Sequence, residues 1–522
     1  MKIIGIILLT VLFIFSSLFD LQMLQQNSYN NKSKYFKFLL KDIKSNYNLY
    51  LLKYLFGLSL LFFEEFNNLL IIYFFTIMFI LIFTSVTSYI KHSEKLPLKF
   101  TKRLIRIYLL DIIFYLIFMI YAKNLSVTFT LGLIVLFISL NPFILMGIIC
   151  ILMPVEKIIF NHYKSKALTK LGSMKNINII GITGSFGKTS TKMILESLLS
   201  VKYKGFYTPG SFNTPNGVIL TINNEKTIFN NYFICEMGAR AKGEIKELCS
   251  LVKPKYGIIT SIGPAHLETF KTLDNICKTK FELGESLPSD GALVLNKDDE
   301  YEKKYKLNNK VKVIWIGIKN KADVTAENIN ISSKGTSFDL CFKNEKVNVQ
   351  TILLGEKNIY NILSAAALAK HMGLSLNEIK IGIKNIKPIK HRLEIKTVKN
   401  ITIIDDSYNS NPVGASNAVD VLSLMEGNKI IITPGMVEMG KEEEKLNYEF
   451  GKKIGKNVDT AYLIGKKRSK AIQKGILEVN PKMKINVYNR FLDAYNDIIK
   501  KSGNKKTVVL IENDLPDLYT EE

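Results

Sequence analysis

Residues 181–191 read GITGSFGKTST, after the β-branched run NINII (176–180) and before the helix-forming run TKMILESLL (191–199). Glycines let backbone N–H groups approach phosphate oxygens closely, and a helix that starts just beyond them adds a favourable dipole. In that setting Lys188 is placed to neutralise β- and γ-phosphates, and the Thr189 hydroxyl to ligate Mg²⁺. A strict GxxxxGK[ST] loop needs glycine at 182, where this chain has Ile182. The spacing is therefore a variant in which Gly184 and Gly187 do the cradling. The strand–loop–helix context favours a nucleotide site over a chance glycine-rich turn.

C-terminal to this loop, short apolar runs alternate with helical stretches. Strands are expected at 176–182, 232–236, 256–262, 293–296 and 313–317, then a β-rich stretch at 323–354 and a helix at 357–371. A second series runs through 401–405, 429–433, 461–464, 485–488 and 507–511. Such alternation implies mostly parallel sheets covered by helices. The break at Pro388, His391 and Arg392 reads as a hinge between two α/β domains, 174–388 and 389–522.

N-terminal to the loop the character changes. The 522 residues are 47% hydrophobic and 22% charged, with a formal net charge of +24 and a mean hydropathy of +0.13. That excludes a disordered chain and points to a membrane region in residues 1–173. Spans are expected near 3–18, 69–90, 105–121 and 127–152, since about 20 helical residues cross the apolar layer; the shorter 51–63 reads as a fifth span, a re-entrant segment or an interfacial helix. No cleavage site is clear after 3–18, so it reads as a retained anchor rather than a signal peptide. Lysines and arginines at 20–50, at 91–104 and after 153 mark those segments as cytoplasmic. Two successive inside loops need an even number of spans between them, and Glu64 and Glu65 suit an outside turn. That favours five spans over four. Asp111 lies within a span, either as a substrate or helix contact, or as a residue near Arg103 and Arg106 that finds water or a cation. The five cysteines form no CxxC pair, which fits a reducing compartment and gives no zinc or disulfide framework.

The wording GSFGKTST resembles the ATP loop of the Mur ligases, which add amino acids to the peptidoglycan stem peptide. The resemblance continues in order through YFICEMGARAKGEI (232–245), TSIGPAHLETF (260–270), ICKTKFEL (276–283), LVLNKDD (293–299), GEKNIYNILSAAALA (355–369) and HRLE (391–394). IIDDSYNSNP (403–412) points to the MurF-like, D-alanyl-D-alanine-adding branch. The fold implied is a transmembrane α-helical region, a P-loop parallel-sheet ATPase domain and a Rossmann-like C-terminal domain.

The resemblance also implies roles. Thr183, Gly184, Ser185, Gly187, Lys188, Thr189 and Ser190 would surround the ATP phosphates. Asn296 and Asn358 would lie on the adenine side, and Arg392 and Asp406 would reach ATP from the C-terminal domain. Thr189, Glu236, His266 and a carbamylated Lys280 would hold metal. Lys188, Lys280, His266 and Arg392 would serve catalysis, with ATP and Mg²⁺ as cofactors. The partners implied are a UDP- or lipid-linked cell-wall peptide precursor and an amino acid or dipeptide. The apolar spans and basic loops of residues 1–173 place the chain in the cytoplasmic membrane, multi-pass, with the catalytic domains expected in the cytoplasm.

These residue types suit the chemistry independently. A carboxylate must be activated before an amine can attack it, and γ-phosphoryl transfer does so by making an acyl phosphate. Such transfer is catalysed mainly by positioning and charge neutralisation. Thr189 and Glu236 offer the oxygen ligands a hard cation wants. A lysine beside metal fits only if carbamylation makes it an anion.

Three features depart from the branch. Membrane spans stand where the UDP-gripping domain is expected. In TPGMVEMG (433–440), Gly435 replaces an acidic residue. The last strand ends IENDLPDLY (511–519) where a KGS-type segment is expected. Amidation or γ-glutamyl addition to another carboxylate is the related alternative. A transporter ATPase lacks its LSGGQ segment here, a non-catalytic scaffold is disfavoured by the retained site residues, and no nucleic-acid motif accompanies the basic charge.

Overall fold

The computed structural model describes residues 2–27, 29, 35–63, 67–93, 97–122, 124–398, 400–408, 410–437, 439–503 and 505–513. Glu64 and Glu65, Lys32, Lys34 and Lys95, and the end of the 511–519 stretch lie outside them. Two compact units divide the chain, Met1–Phe160 and Asn161–Leu515.

The first unit is helical. Lys2–Gln26, Asn68–Ile90, Lys102–Ala122 and Val127–Ser173 are long and apolar enough to cross a membrane, judged by length and composition. Their inner faces pack Leu9, Leu12 and Phe13 against Phe74, Tyr115 and Leu131, with the Phe13 and Tyr115 rings stacked 4.1 Å apart. The faces turned away, with Ile72, Phe79, Phe83 and Ile120, are exposed and equally apolar. Helices apolar all round need either a large core or lipid around them.

The candidate fifth span lies in the helix Tyr47–Leu61, whose 15 residues reach about 22 Å at 1.5 Å per residue. This helix is closely packed: a Cβ at Gly132 would lie 2.8 Å from the Gly57 carbonyl oxygen, a backbone approach that only glycines permit. Asp111 is partnered differently from expectation. It accepts from Ser17 Oγ at 2.5 Å, while Arg106 donates to Glu156.

In the second unit nine strands form one sheet: β1 (Asn178–Thr183), β2 (Gly205–Tyr207), β3 (Tyr232–Glu236), β4 (Tyr256–Ile259), β5 (Ala292–Asn296), β6 (Lys312–Gly317), β7 (Val324–Ser332), β8 (Gly335–Phe342) and β9 (Glu345–Thr351). Their order is β2-β3-β1-β4-β5-β6-β7-β8-β9. Pairing is parallel as far as β7 and antiparallel beyond it. Ile180 and Ile182 of β1 pack on Ile194, Leu195 and Leu198 of the helix Lys188–Leu199, and on Ile362 and Leu363 of the helix Glu356–His371. β1 sits between β3 and β4, the point where successive crossovers turn to opposite sides. Ligand crevices form outside the carboxyl ends of strands at such a point.

The second sheet holds β10 (Glu394–Val398), β11 (Ile401–Asp406), β12 (Asn428–Thr433), β13 (Thr460–Ile464), β14 (Lys484–Tyr488) and β15 (Thr507–Glu512), in the order β10-β11-β15-β12-β13-β14. Only β10 runs antiparallel. Among the described residues all five cysteines are free thiols.

Candidate active site

The loop after β1 is built by its glycines. Gly184 has φ +147° and Gly187 φ +82°, values that L side chains rarely adopt. A Cβ at Gly184 would run into Thr260 Oγ1, and one at Gly187 would lie 2.6 Å from Asn361 Oδ1. Gly187 caps the helix that begins at Lys188, so the loop's backbone amides lead into a helix N-terminus. The loop is also tied down from the β4 side. Ser185 N donates to Ser261 O at 2.8 Å, and Ser185 Oγ donates to Gly263 O at 2.9 Å. Thr183 closes the other flank, donating to Met237 O at 2.9 Å.

Lys188 Nζ donates to Gly184 O (2.8 Å) and Ser185 O (3.2 Å), curling back over the loop. Thr189 Oγ1 donates to Glu236 Oε2 at 3.0 Å. Glu236 ends β3, buried, and its other partners are Lys192 Nζ at 2.8 Å and Asn213 Nδ2 at 3.2 Å. Lys192 was not foreseen, although it stands one helical turn after Lys188 and so on the same face. The signal was its spacing; what hid it was a charge in a helix that must pack on a sheet.

The site is crowded with positive charge. Burial pushes Lys188 down to about 8, with Arg392 repelling it and Glu236 opposing the fall. Lys280, on the helix Leu273–Glu285, is pushed down to about 7 by burial and by Lys188, against the pull of Glu244 and Glu282. Its Nζ lies 5.8 Å from the Phe270 ring centre, one short turn beyond His266, whose backbone is left-handed at φ +53°. Arg392 arrives from the approach to β10 and stacks on Tyr408 at 4.2 Å. Asp406 faces it; burial pushes this acid up to about 6, and Arg392 restrains the rise.

Lys188, Thr189, Glu236, Lys280, Arg392 and Asp406 thus gather at one edge. The two asparagines connect less directly. Asn358 Oδ1 accepts from Asn361 Nδ2 at 3.2 Å, and Asn361 Oδ1 accepts from Thr191 in the loop's helix. Asn296 Oδ1 accepts from Asp298 N at 3.0 Å. Asp298 in turn accepts from Tyr360 Oη, which ties that turn to the helix carrying Asn358. His391, Glu394 and Asp405 bring possible metal-ligand atoms within 4.8 Å of one another. The Lys396 ammonium is paired with both carboxylates at 2.9 Å, so that group is already neutralised by a cation of the protein itself.

Two family models match in register with these sheets: the Mur ligase middle domain over residues 182–369, and the Mur ligase, glutamate ligase domain over residues 391–512. The UDP-N-acetylmuramoyl-tripeptide--D-alanyl-D-alanine ligase of Buchnera aphidicola subsp. Baizongia pistaciae is 32% identical over 359 residues, covering 66% of this chain and 78% of that protein. The chain belongs to the Mur ligase family. The enzyme of the same name from Escherichia coli K12 is 34% identical over 292 residues, which is 55% of this chain. The chain spans 64% of that relative's length. Among solved structures, MurF from Acinetobacter baumannii has a TM-score of 0.63 at 24% identity, covering 69% of this chain and 78% of that one. The Thermotoga maritima MurF ligase in complex with ADP has a TM-score of 0.62 at 23% identity, over 69% and 81%. Both likenesses concern the fold. The Mur ligase segments begin beyond the helical unit, and no part of either family match falls within it.

Proposed function

We propose that this Mur ligase is an ATP-dependent, ADP-forming ligase that joins D-alanyl-D-alanine, or a similar amine, to the peptide carboxylate of a muramoyl precursor. The observation that carries the reading is the convergence of Lys188, Thr189 and Glu236 at the ends of β1 and β3 with Arg392 from the segment leading into β10. The donor set fits Mg·ATP. Two positive-φ glycines and a helix N-terminus suit a polyphosphate. The Thr189 hydroxyl and the Glu236 carboxylate, 3.0 Å apart, suit a hard cation. When bound, Mg·ATP supplies the phosphoryl group that activates the carboxylate.

This chain's own residues do the rest. Lys188 offsets phosphate charge, and Arg392 adds a second cation from across the domain junction. Lys192 holds Glu236 in place through a buried ion pair. Lys280 is the exception, because a cation there opposes both Lys188 and a metal. With its pKa near 7 it is partly a neutral amine, the form that attacks carbon dioxide, and the carbamate so made is an anion able to serve with His266 and Glu236. Asn296, Asn358 and Asp406 complete the nucleotide contacts, with Thr183, Ser185 and Ser190 shaping the loop.

The finer reading concerns where the reaction happens. Residues 1–173 act as a multi-pass anchor in the cytoplasmic membrane, holding the domains 174–388 and 389–522 on the cytoplasmic side. The acceptor is then presented at the bilayer, on a lipid carrier. Four long apolar helices with apolar outer faces support this, as does their standing where a UDP-binding domain was expected.

The test is ADP and product formation by the full-length protein with Mg·ATP, D-alanyl-D-alanine and either the UDP-linked or the lipid-linked muramoyl tripeptide. Amine-dependent product with either acceptor supports the ligase. Faster turnover of the lipid-linked form supports the membrane reading, and strict preference for the UDP-linked form sinks it. ATP hydrolysis indifferent to amine and acceptor sinks both.

A further inference from the structure

The helical unit contains a polar centre that neither anchoring nor ligation requires. Asp111 and Asn141 have no exposed surface, and Asp20, from the helix Lys2–Gln26, is also buried. Ser17 Oγ donates to Asp111 Oδ2 at 2.5 Å. Asn141 Nδ2 donates to Asp20 Oδ2 at 3.4 Å, and the same amide is within hydrogen-bonding reach of Asp111. Two acceptors remain: among the described residues, Asp111 Oδ1 and Asn141 Oδ1 are buried without a hydrogen-bond partner. A buried acceptor left unpaired loses its water and gains nothing for it.

The charges around it do not balance. Lys53 faces Asp20 and Asp42. Asp42 is only partly buried and takes hydrogen bonds from Asn46 and Tyr50. The other titratable neighbours, Tyr35, Tyr50 and Tyr108, carry no positive charge. Arg103 and Arg106 are turned to Glu156. Lys53 is half-buried like Asp42 and faces both Asp42 and Asp20, so the carboxylates outnumber the cations around this centre, in a setting that penalises net charge. A further positive charge would reduce that excess and pair the orphaned oxygens. A metal ion suits it poorly, because hard cations such as Ca²⁺ collect about six or more oxygens and only two are unengaged.

We propose that Asp111 is a reversible proton-binding site in the core of the helical unit, taking one proton from water onto Oδ1 with Asn141 as the neighbouring acceptor. Carboxylate and hydronium give carboxylic acid and water, and no bond of the chain breaks. The unit is then a proton-responsive element as well as an anchor, and this stands whether or not the ligase reading holds.

The test is infrared difference spectroscopy of the full-length protein in lipid nanodiscs from acidic to alkaline pH. A protonated-carboxyl band should fade as pH rises and be missing from Asp111→Asn, with ATP-dependent turnover of that variant within about twofold of the parent. Spectra of parent and variant that match at every pH overturn the proposal. So does a melting temperature that rises with Na⁺ at constant ionic strength in the parent but not the variant, since that marks a metal site. Should Asp111→Asn not fold, ¹³C-carboxyl aspartate NMR of the parent decides. A protonated signal whose titration midpoint moves in Asn141→Ala supports the site, and aspartates that all titrate like exposed ones overturn it.

Discussion

The two sheets of the Mur ligase portion present their strand ends in the same way and charge them oppositely. At the end of β1 and β3 the side chains are Lys188 and Lys192 beside Glu236, with Lys280 close enough to Lys188 to repel it. At the end of β11 and β15 carboxylates predominate: Asp405 is paired with Lys396, Asp406 faces Arg392, and Glu512 is held by the hydroxyls of Ser410 and Thr433. Glu512 is buried between Ser410 and Thr433, and Asn513 beside it donates to Gly435 O at 2.7 Å. The two departures noted in the sequence, at Gly435 and in IEND, therefore meet at one place. Parallel-sheet topology decides where a crevice forms, and side-chain charge decides what it accepts. A cationic edge suits a polyphosphate, and an acidic one suits the amine partner of the proposed ligation.

The sharpest way to break this contrast is Lys188→Ala, which should lower amine-dependent ADP release by about 10³-fold; retention of a tenth of the activity would remove Lys188 from the phosphate site. Glu236→Gln should come next. It leaves the buried Lys192 ammonium without its counter-charge and held by the Gly210 carbonyl, so a loss of roughly 3–5 kcal/mol of stability is expected by denaturant titration, together with loss of Mg²⁺ dependence. Lys280→Ala and Lys280→Arg should each cost about 10²-fold in turnover, because neither side chain forms a carbamate. Activity surviving in the arginine variant would mean that a cation suffices there.

The smallest effect concerns the acidic edge. Burial raises Glu512 from 4.5 to about 7, its hydrogen bonds to Ser410 and Thr433 opposing the rise. Between those values the folded chain holds a proton that the unfolded chain releases. The stability it contributes is complete below pH 4.5 and is lost as pH rises through 7. Melting temperatures across that window should fall with pH in the parent and fall less in Glu512→Gln. Parallel slopes would place the titration elsewhere.

Much of the architecture was legible in local pattern. The run YFICE is β3 to the residue, and the second series of β-branched runs falls on β11 to β15. The elements that escaped were edges. β2 is three residues long. β10, with the sequence EIKTV and mostly exposed, lacks the apolar run of a central strand. Site residues that sit in a distinctive loop, such as Gly184, Gly187 and Lys188, could be read directly. Lys192, Asn213 and Asn361 could not, because each acts through a partner far along the chain: 44 residues for Lys192 and Glu236, 170 for Thr191 and Asn361.

By itself the sequence determined the glycine loop, the alternation of strands and helices, and the apolar front of the chain, since all three are encoded in residues that are near neighbours. Only the tertiary structure decided how charge is distributed at the ends of the two sheets, which neighbours the 47–61 helix packs against, and that Asp111 is held by Ser17 rather than by arginines. Backbone conformation and hydrophobic period are local properties of a chain. Burial and electrostatic pairing depend on which distant segments meet, and here that meeting sets the surroundings of Lys280 and Glu512.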